Sequence, residues 1–128
     1  MRHDLKDTTF IIPIRIESED RMRNVITTLC YLLENFDTKV ILKEVDSESV
    51  FQQQCLPQIS EYVEDGIENL THIFEKSDPV DNMFYRMRYL NEMLNMCETE
   101  VVANYDCDVL LPINTYLEAQ KFITKNNL

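Results

Sequence analysis

Four short apolar runs, each starting about thirty residues after the last, constrain this 128-residue chain more than any other feature. Phe10-Ile11-Ile12-Pro13-Ile14 is the first, Lys39 to Val45 the second, Thr71 to Phe74 a weaker third, and Glu100 to Tyr105 the fourth. Each has strand length and polar borders, as strands buried in a sheet do. The imino nitrogen of Pro13 cannot donate to a ladder, so the first strand should be ending there.

Helical patterns fill the intervals. Met22, Val25, Ile26, Leu29, Leu33 and Phe36 recur at three- and four-residue steps, with Ser18 placed to cap them. Met83, Met87, Leu90, Leu94 and Cys97 form a second stripe. Val50 to Val63 also reads as helix, interrupted at Pro57. Thr115-Tyr116-Leu117-Glu118 has the form of a capping box, opening a helix to about Lys125. The alternation predicts a single α/β domain over residues 1–128, with a mostly parallel sheet and helices on both faces. Ligands of such sheets bind at the carboxyl ends of the strands. The places to look are therefore just after Ile14, Val45, Glu75 and Tyr105.

Composition narrows the ligand. Twelve basic against 23 acidic residues give a formal charge of -11, which disfavours nucleic acid and anionic membranes as partners. Hydrophobic residues make up 45% of the chain, enough for one core. Gly66 is the only glycine, which excludes the glycine-rich phosphate loop and the dinucleotide fingerprint. Phosphate, if bound, must be held by side chains and a metal. Cys30, Cys55, Cys97 and Cys107 form no C-x-x-C pair or zinc spacing, so reduced thiols in a cytoplasmic protein are expected. The polar N-terminus shows no signal peptide, and no apolar run approaches the roughly 20 residues of a transmembrane segment.

The clearest chemical signal is Tyr105-Asp106-Cys107-Asp108-Val109. Alternation along an extended segment places both carboxylates on one side, where they repel. A hard divalent cation relieves that repulsion and brings positive charge to a diphosphate; the alternative is an acidic strand end or turn. Arg86 can present a planar fork to phosphate, and Phe84 can flank a base, or both can belong to an ordinary amphipathic helix. Arg88 reads as solvated. Arg15 leaves the first strand where a ligand would bind, or pairs with an acid such as Glu17. Asp46 can accept from a nucleobase or ribose, or cap a turn. His72 reads as structural and His3 as solvated, and Cys107 is a poor nucleophile beside two carboxylates.

In this order the motifs resemble the family 2 glycosyltransferases and the related galactosyltransferases and chondroitin-type polymerases. Thr9-Phe10-Ile11-Ile12-Pro13-Ile14-Arg15 looks like their first strand and polar turn. Phe84-Tyr85-Arg86 with Leu90-Asn91 looks like the galactosyltransferase F-x-R…L-N helix, and Asp106 to Pro112 like the D-x-D-hydrophobic-hydrophobic-proline segment. The resemblance runs from about Thr8 to Phe122 and implies a GT-A, Rossmann-like nucleotide-sugar-binding domain. It implies contacts to a UDP-sugar from Pro13, Arg15, Asp46, Phe84, Arg86 and Asp106. Asp108, helped by Asp106, would hold Mn2+ or Mg2+, and the acceptor would be a saccharide or polysaccharide precursor.

The sequence also departs from the family. Val45-Asp46-Ser47-Glu48 stands where D-D-G-S is common, and Glu92-Met93 replaces small residues after the asparagine. The family's acceptor half, with its catalytic base, normally follows the D-x-D helix with which this sequence closes, so a donor-binding half truncated after D-x-D is expected. Two other readings are a haloacid-dehalogenase-like phosphohydrolase, whose D-x-D follows the first core strand, and a non-catalytic acidic α/β interaction domain.

Overall fold

A computed structural model describes residues 2–63, 65–77 and 84–126. The chain runs β1 (His3–Ile14), α1 (Glu19–Asn35), β2 (Phe36–Asp46), α2 (Leu56–Tyr62), β3 (Leu70–Lys76), α3 (Arg86–Leu94), β4 (Val101–Asn104) and α4 (Ile113–Asn126). The strands form one sheet in the order β3-β2-β1-β4, and every pairing is parallel. The expected α/β architecture is therefore present.

Alternate residues of the central strands supply two cores. Phe10, Ile12, Ile14, Val40 and Leu42 pack with Val25, Leu29, Leu32 and Leu33 of α1, Ile59 of α2 and Tyr116 of α4. Ile11, Ile41 and Val45 face the other way, against Tyr89, Leu90 and Met93 of α3. Helices do cover both faces, but among the described residues three lie on one face and α3 alone on the other.

Several local expectations are corrected. β1 begins seven residues before its isoleucine run, because His3 to Asp7 buries only Leu5 and so carries polar side chains outward. β1 ends at Ile14, one residue past Pro13, as expected. The Ile11 carbonyl accepts from Tyr105 N–H at 3.1 Å, so Ile11 and, by alternation, Pro13 turn their backbone toward β4. β4 pairs with β1 only as far as Ile11, so the missing donor at Pro13 breaks no ladder.

Ser18 does cap α1, accepting from Arg21 N–H at 3.1 Å, whereas Phe36 opens β2. Pro57 sits in the first turn of α2, where its absent N–H is harmless, behind a π-helical segment Phe51–Cys55. In α3 the stripe is rotated: Tyr89, Leu90 and Met93 are buried, whereas Met87 and Leu94 are exposed. Met83 lies outside the described residues. Thr115 lies inside α4, since its N–H already bonds the Pro112 carbonyl at 2.9 Å. Gly66 adopts φ 102°, and a side chain there would run into the Arg2 guanidinium.

Two polar groups inside the sheet are fully engaged. The buried Glu44 carboxylate accepts from Ser49 Oγ at 2.6 Å, Phe51 N–H at 3.0 Å and His72 Nε2 at 3.1 Å. Burial pushes its pKa up, but these hydrogen bonds outweigh burial and hold it below the usual carboxylate range. His72 is thus structural, as expected. On the α3 face Lys43 pairs with Glu75 at 3.2 Å and with Glu92, and lies over the Tyr89 ring. Arg88 joins the same acids.

Candidate functional site at the carboxyl edge of the sheet

The chain leaves the carboxyl ends of β1 and β4 beside the start of α3. A pocket of about 230 Å³ opens there, lined by Pro13, Ile14, Arg15, Glu17, Arg21, Phe84 and Arg86. Four of the residues singled out from sequence, Pro13, Arg15, Phe84 and Arg86, therefore share one concavity although they lie up to 73 positions apart (86 − 13).

Each is positioned by contacts of its own. Arg15 Nε donates to the Val45 carbonyl at 2.8 Å, and its guanidinium lies 5.5 Å from the Phe84 ring centroid. Phe84 packs edge-on against Tyr89 at 4.9 Å, which ties it to the α3 core. Arg86 opens α3 and donates to Asp106 at 2.8 Å and to Asn104 at 3.2 Å. Arg88 points elsewhere, into its acid pair and over the Tyr89 ring at 4.9 Å. It is exposed, as expected, and ion-paired as well.

The D-x-D segment is a turn, not an extended strand. β4 ends at Asn104, and Val109 N–H reaches back to the Asp106 carbonyl at 3.4 Å. The strand alternation expected for the two aspartates does not apply. Both are nonetheless exposed, while Tyr105 before them and Cys107 between them are buried. Tyr105 Oη bonds Tyr116 Oη and the Val109 carbonyl, Leu111 N–H donates to Tyr116 Oη at 3.0 Å, and Tyr31 Oη donates to the Leu111 carbonyl at 2.7 Å. Burial, and the hydrogen bond with Tyr116, push the Tyr105 hydroxyl pKa well up, so it stays a neutral donor. This tyrosine clamp was not foreseen; its only trace in sequence is the recurrence of Tyr105 and Tyr116 around the motif.

Cys107 is buried, with its carbonyl accepting from Thr28 Oγ1 at 2.6 Å. Burial raises its thiol pKa, and the neighbouring aspartates add to the effect, which outweighs nearby Arg21. Both effects disfavour the thiolate, the form in which a cysteine is nucleophilic.

Asp46 stands outside the pocket lining. Its carboxylate accepts from Ser47 N–H at 2.7 Å and its carbonyl accepts from Ser77 N–H at 2.9 Å. It caps the turn after β2, one of the two roles its sequence position allowed.

Among the described residues no three His, Cys, Asp or Glu side chains converge into a cation cage. Asp106 and Asp108 fit a different mode, in which a hard cation keeps waters, takes one or two carboxylates and receives its remaining oxygens from a bound phosphate. No helix is long and apolar enough to cross a membrane among the described residues.

No protein-family model and no curated protein matches the chain. Solved structures do. S. aureus TarS 1–349, from a glycosyltransferase, superimposes with a TM-score of 0.62 at 21% identity over 96% of this chain. A second structure of S. aureus TarS gives 0.62 at 18% identity, again over 96%. The chain spans 33% and 20% of those two chains respectively. The likeness is one of fold: the parallel α/β sheet and helices of this chain match part of TarS.

Proposed function

We propose that this chain is the donor-binding domain of a glycosyltransferase, holding a UDP-sugar with Mn2+ or Mg2+ for transfer to a saccharide or polysaccharide-precursor acceptor. The observation that carries the reading is the shared pocket of Pro13, Arg15, Phe84 and Arg86 at the carboxyl edge of the sheet, with Asp106 bonded to Arg86 beside it. The glycosyltransferase-like fold supports it.

In this reading Phe84 flanks the base, and Arg15 and Arg86 meet the diphosphate through planar, charge-assisted hydrogen bonds. Asp108 and Asp106 hold the cation, which neutralises the leaving diphosphate when bound. Asp46, at the end of β2, would turn from its Ser47 contact to uridine. No residue of this chain is assigned as the catalytic base.

Thermal melting with UDP, titrated to millimolar, tests the proposal in the presence of Mn2+, Mg2+ or chelator. Ligand at about a hundred times its dissociation constant should add roughly 2.7 kcal/mol, and only with metal. No shift with any uridine nucleotide under any of these conditions overturns it.

A further inference from the structure

Three of the chain's six arginines, Arg15, Arg21 and Arg86, line the pocket, with Glu17 the one acid among its described lining residues. In a chain of net charge -11 this brings three guanidinium groups to one concavity, with Glu17 in its lining and Asp106 bonded to Arg86. Arg15 and Arg86 belong to the motifs already described. Arg21 does not: it comes from the first turn of α1, three residues after the cap Ser18.

Its contacts also set it apart. Arg86 holds a carboxylate and an amide oxygen, and Arg15 a backbone carbonyl. The Arg21 side chain reaches across the pocket edge to Cys107 Sγ at 3.9 Å. A thiol is a weak acceptor, so a guanidinium loses little by leaving it for a phosphate oxygen. The first turn of α1 opens at the strand ends, where the ligand of a parallel sheet sits. Arg21 and Arg86 thus approach the D-x-D turn from opposite helices.

We infer that Arg21 is a ligand-binding residue of this pocket, its guanidinium receiving the diphosphate of the bound nucleotide alongside Arg86. The inference rests on the donor-site reading for the nucleotide, but the anion contact can be tested without it.

The test is calorimetric titration with inorganic pyrophosphate and with UDP, both in Mg2+. Four proteins are compared: wild type, Arg21→Ala, Arg21→Lys and Arg23→Ala. Arg23 is an exposed control on the same helix, paired with Asp20. Arg21→Ala should weaken both probes by roughly 10- to 100-fold, the range of a lost charge-assisted contact. Arg21→Lys should recover part of the loss, since it keeps the charge but not the fork. Arg23→Ala should match wild type, and all four should melt together without ligand.

If wild type binds UDP and Arg21→Ala binds it equally well, the role of Arg21 is overturned while the donor site stands. If pyrophosphate binding depends on Arg21 but UDP binds no more tightly than pyrophosphate, the anion contact stands and the nucleotide reading falls. Equal losses at Arg21 and Arg23, or a lower melting temperature for Arg21→Ala, mean bulk charge or misfolding and overturn the inference. Binding of neither probe overturns both.

Discussion

Arg86 Nη2 donates to the Asp106 carboxylate at 2.8 Å, joining the first residue of α3 to the turn after β4. Both side chains are well exposed, so the pair contributes little to stability, about 0–1 kcal/mol. Its consequence is positional: the guanidinium is held at the strand edge, and the aspartate that would share a metal already has a cation beside it.

Arg86→Ala should therefore weaken UDP binding more than Arg88→Ala. The two are about 200° apart around the helix, and Arg88 is turned into Glu75 and Glu92. Loss of the Arg86 contact should cost about 1.5–3 kcal/mol of binding. Isothermal titration of the two variants decides it, and an equal or larger loss at Arg88 contradicts the placement.

Asp108→Asn should abolish the metal-dependent part of nucleotide binding and leave the fold intact. The exposed Asp108 carboxylate makes no hydrogen bond or ion pair within the described residues, so neutralising it breaks no structural contact. Melting temperatures with chelator should match or slightly favour the variant, because two nearby carboxylates repel. With Mn2+ and UDP the wild type should pull ahead. Equal responses to Mn2+ and UDP would place the metal elsewhere.

Tyr116→Phe should destabilise the domain by about 1 kcal/mol or more, since it removes the acceptor for Leu111 N–H and the partner of Tyr105 Oη. The loss should also weaken metal-dependent UDP binding, because those bonds fix the chain just beyond Asp108. Denaturant unfolding and titration, read together, check both effects; unfolding without any change in affinity would separate the clamp from the site.

Stability should fall in acid through Glu44. Its folded-state pKa is depressed: burial opposes ionisation, but hydrogen bonds from His72, Ser49 and the Phe51 N–H outweigh it. Folding thus favours the ionised form. The contribution is complete above the unfolded carboxylate value and is lost as pH falls through the lower folded one. Glu44→Gln should lower stability at neutral pH and flatten the acid limb of the melting profile, with Cys55 and His72 the titratable neighbours. A wild-type limb that the substitution leaves unchanged would assign acid sensitivity to other carboxylates.

The sheet was legible because both faces of β1 and β2 are covered at their centres, which gives the short apolar runs Phe10–Ile14 and Val40–Leu42. The polar first half of β1 was not, since only Leu5 is buried there and a lone leucine carries no period. The α3 stripe was misassigned because exposed Met87 and Leu94 counted as core, while Tyr89, the ring that the core buries, did not fit the chosen steps. At the site, Arg15, Phe84 and Arg86 could be read from position after or between strands. Arg21 could not, because its relevance depends on the first turn of α1 lying across from the D-x-D turn. A basic residue three positions past a helix cap that follows a strand is the signal that could have found it.

The one-helix face has a dynamic consequence. α1 is fastened by Val25, Thr28, Leu29, Leu32 and Leu33, but α3 by Tyr89, Leu90 and Met93 together with ion pairs of Lys43 and Arg88 to Glu75 and Glu92. Sub-global opening of the domain should therefore begin at α3, whose amides should exchange with deuterium before those of α1, and faster still as salt screens the acids. Because Arg86 opens that helix and Phe84, just ahead of it, packs on Tyr89, a bound nucleotide would slow exchange along α3, far beyond the residues it touches, and ionic strength would reach the ligand through a helix rather than through the pocket.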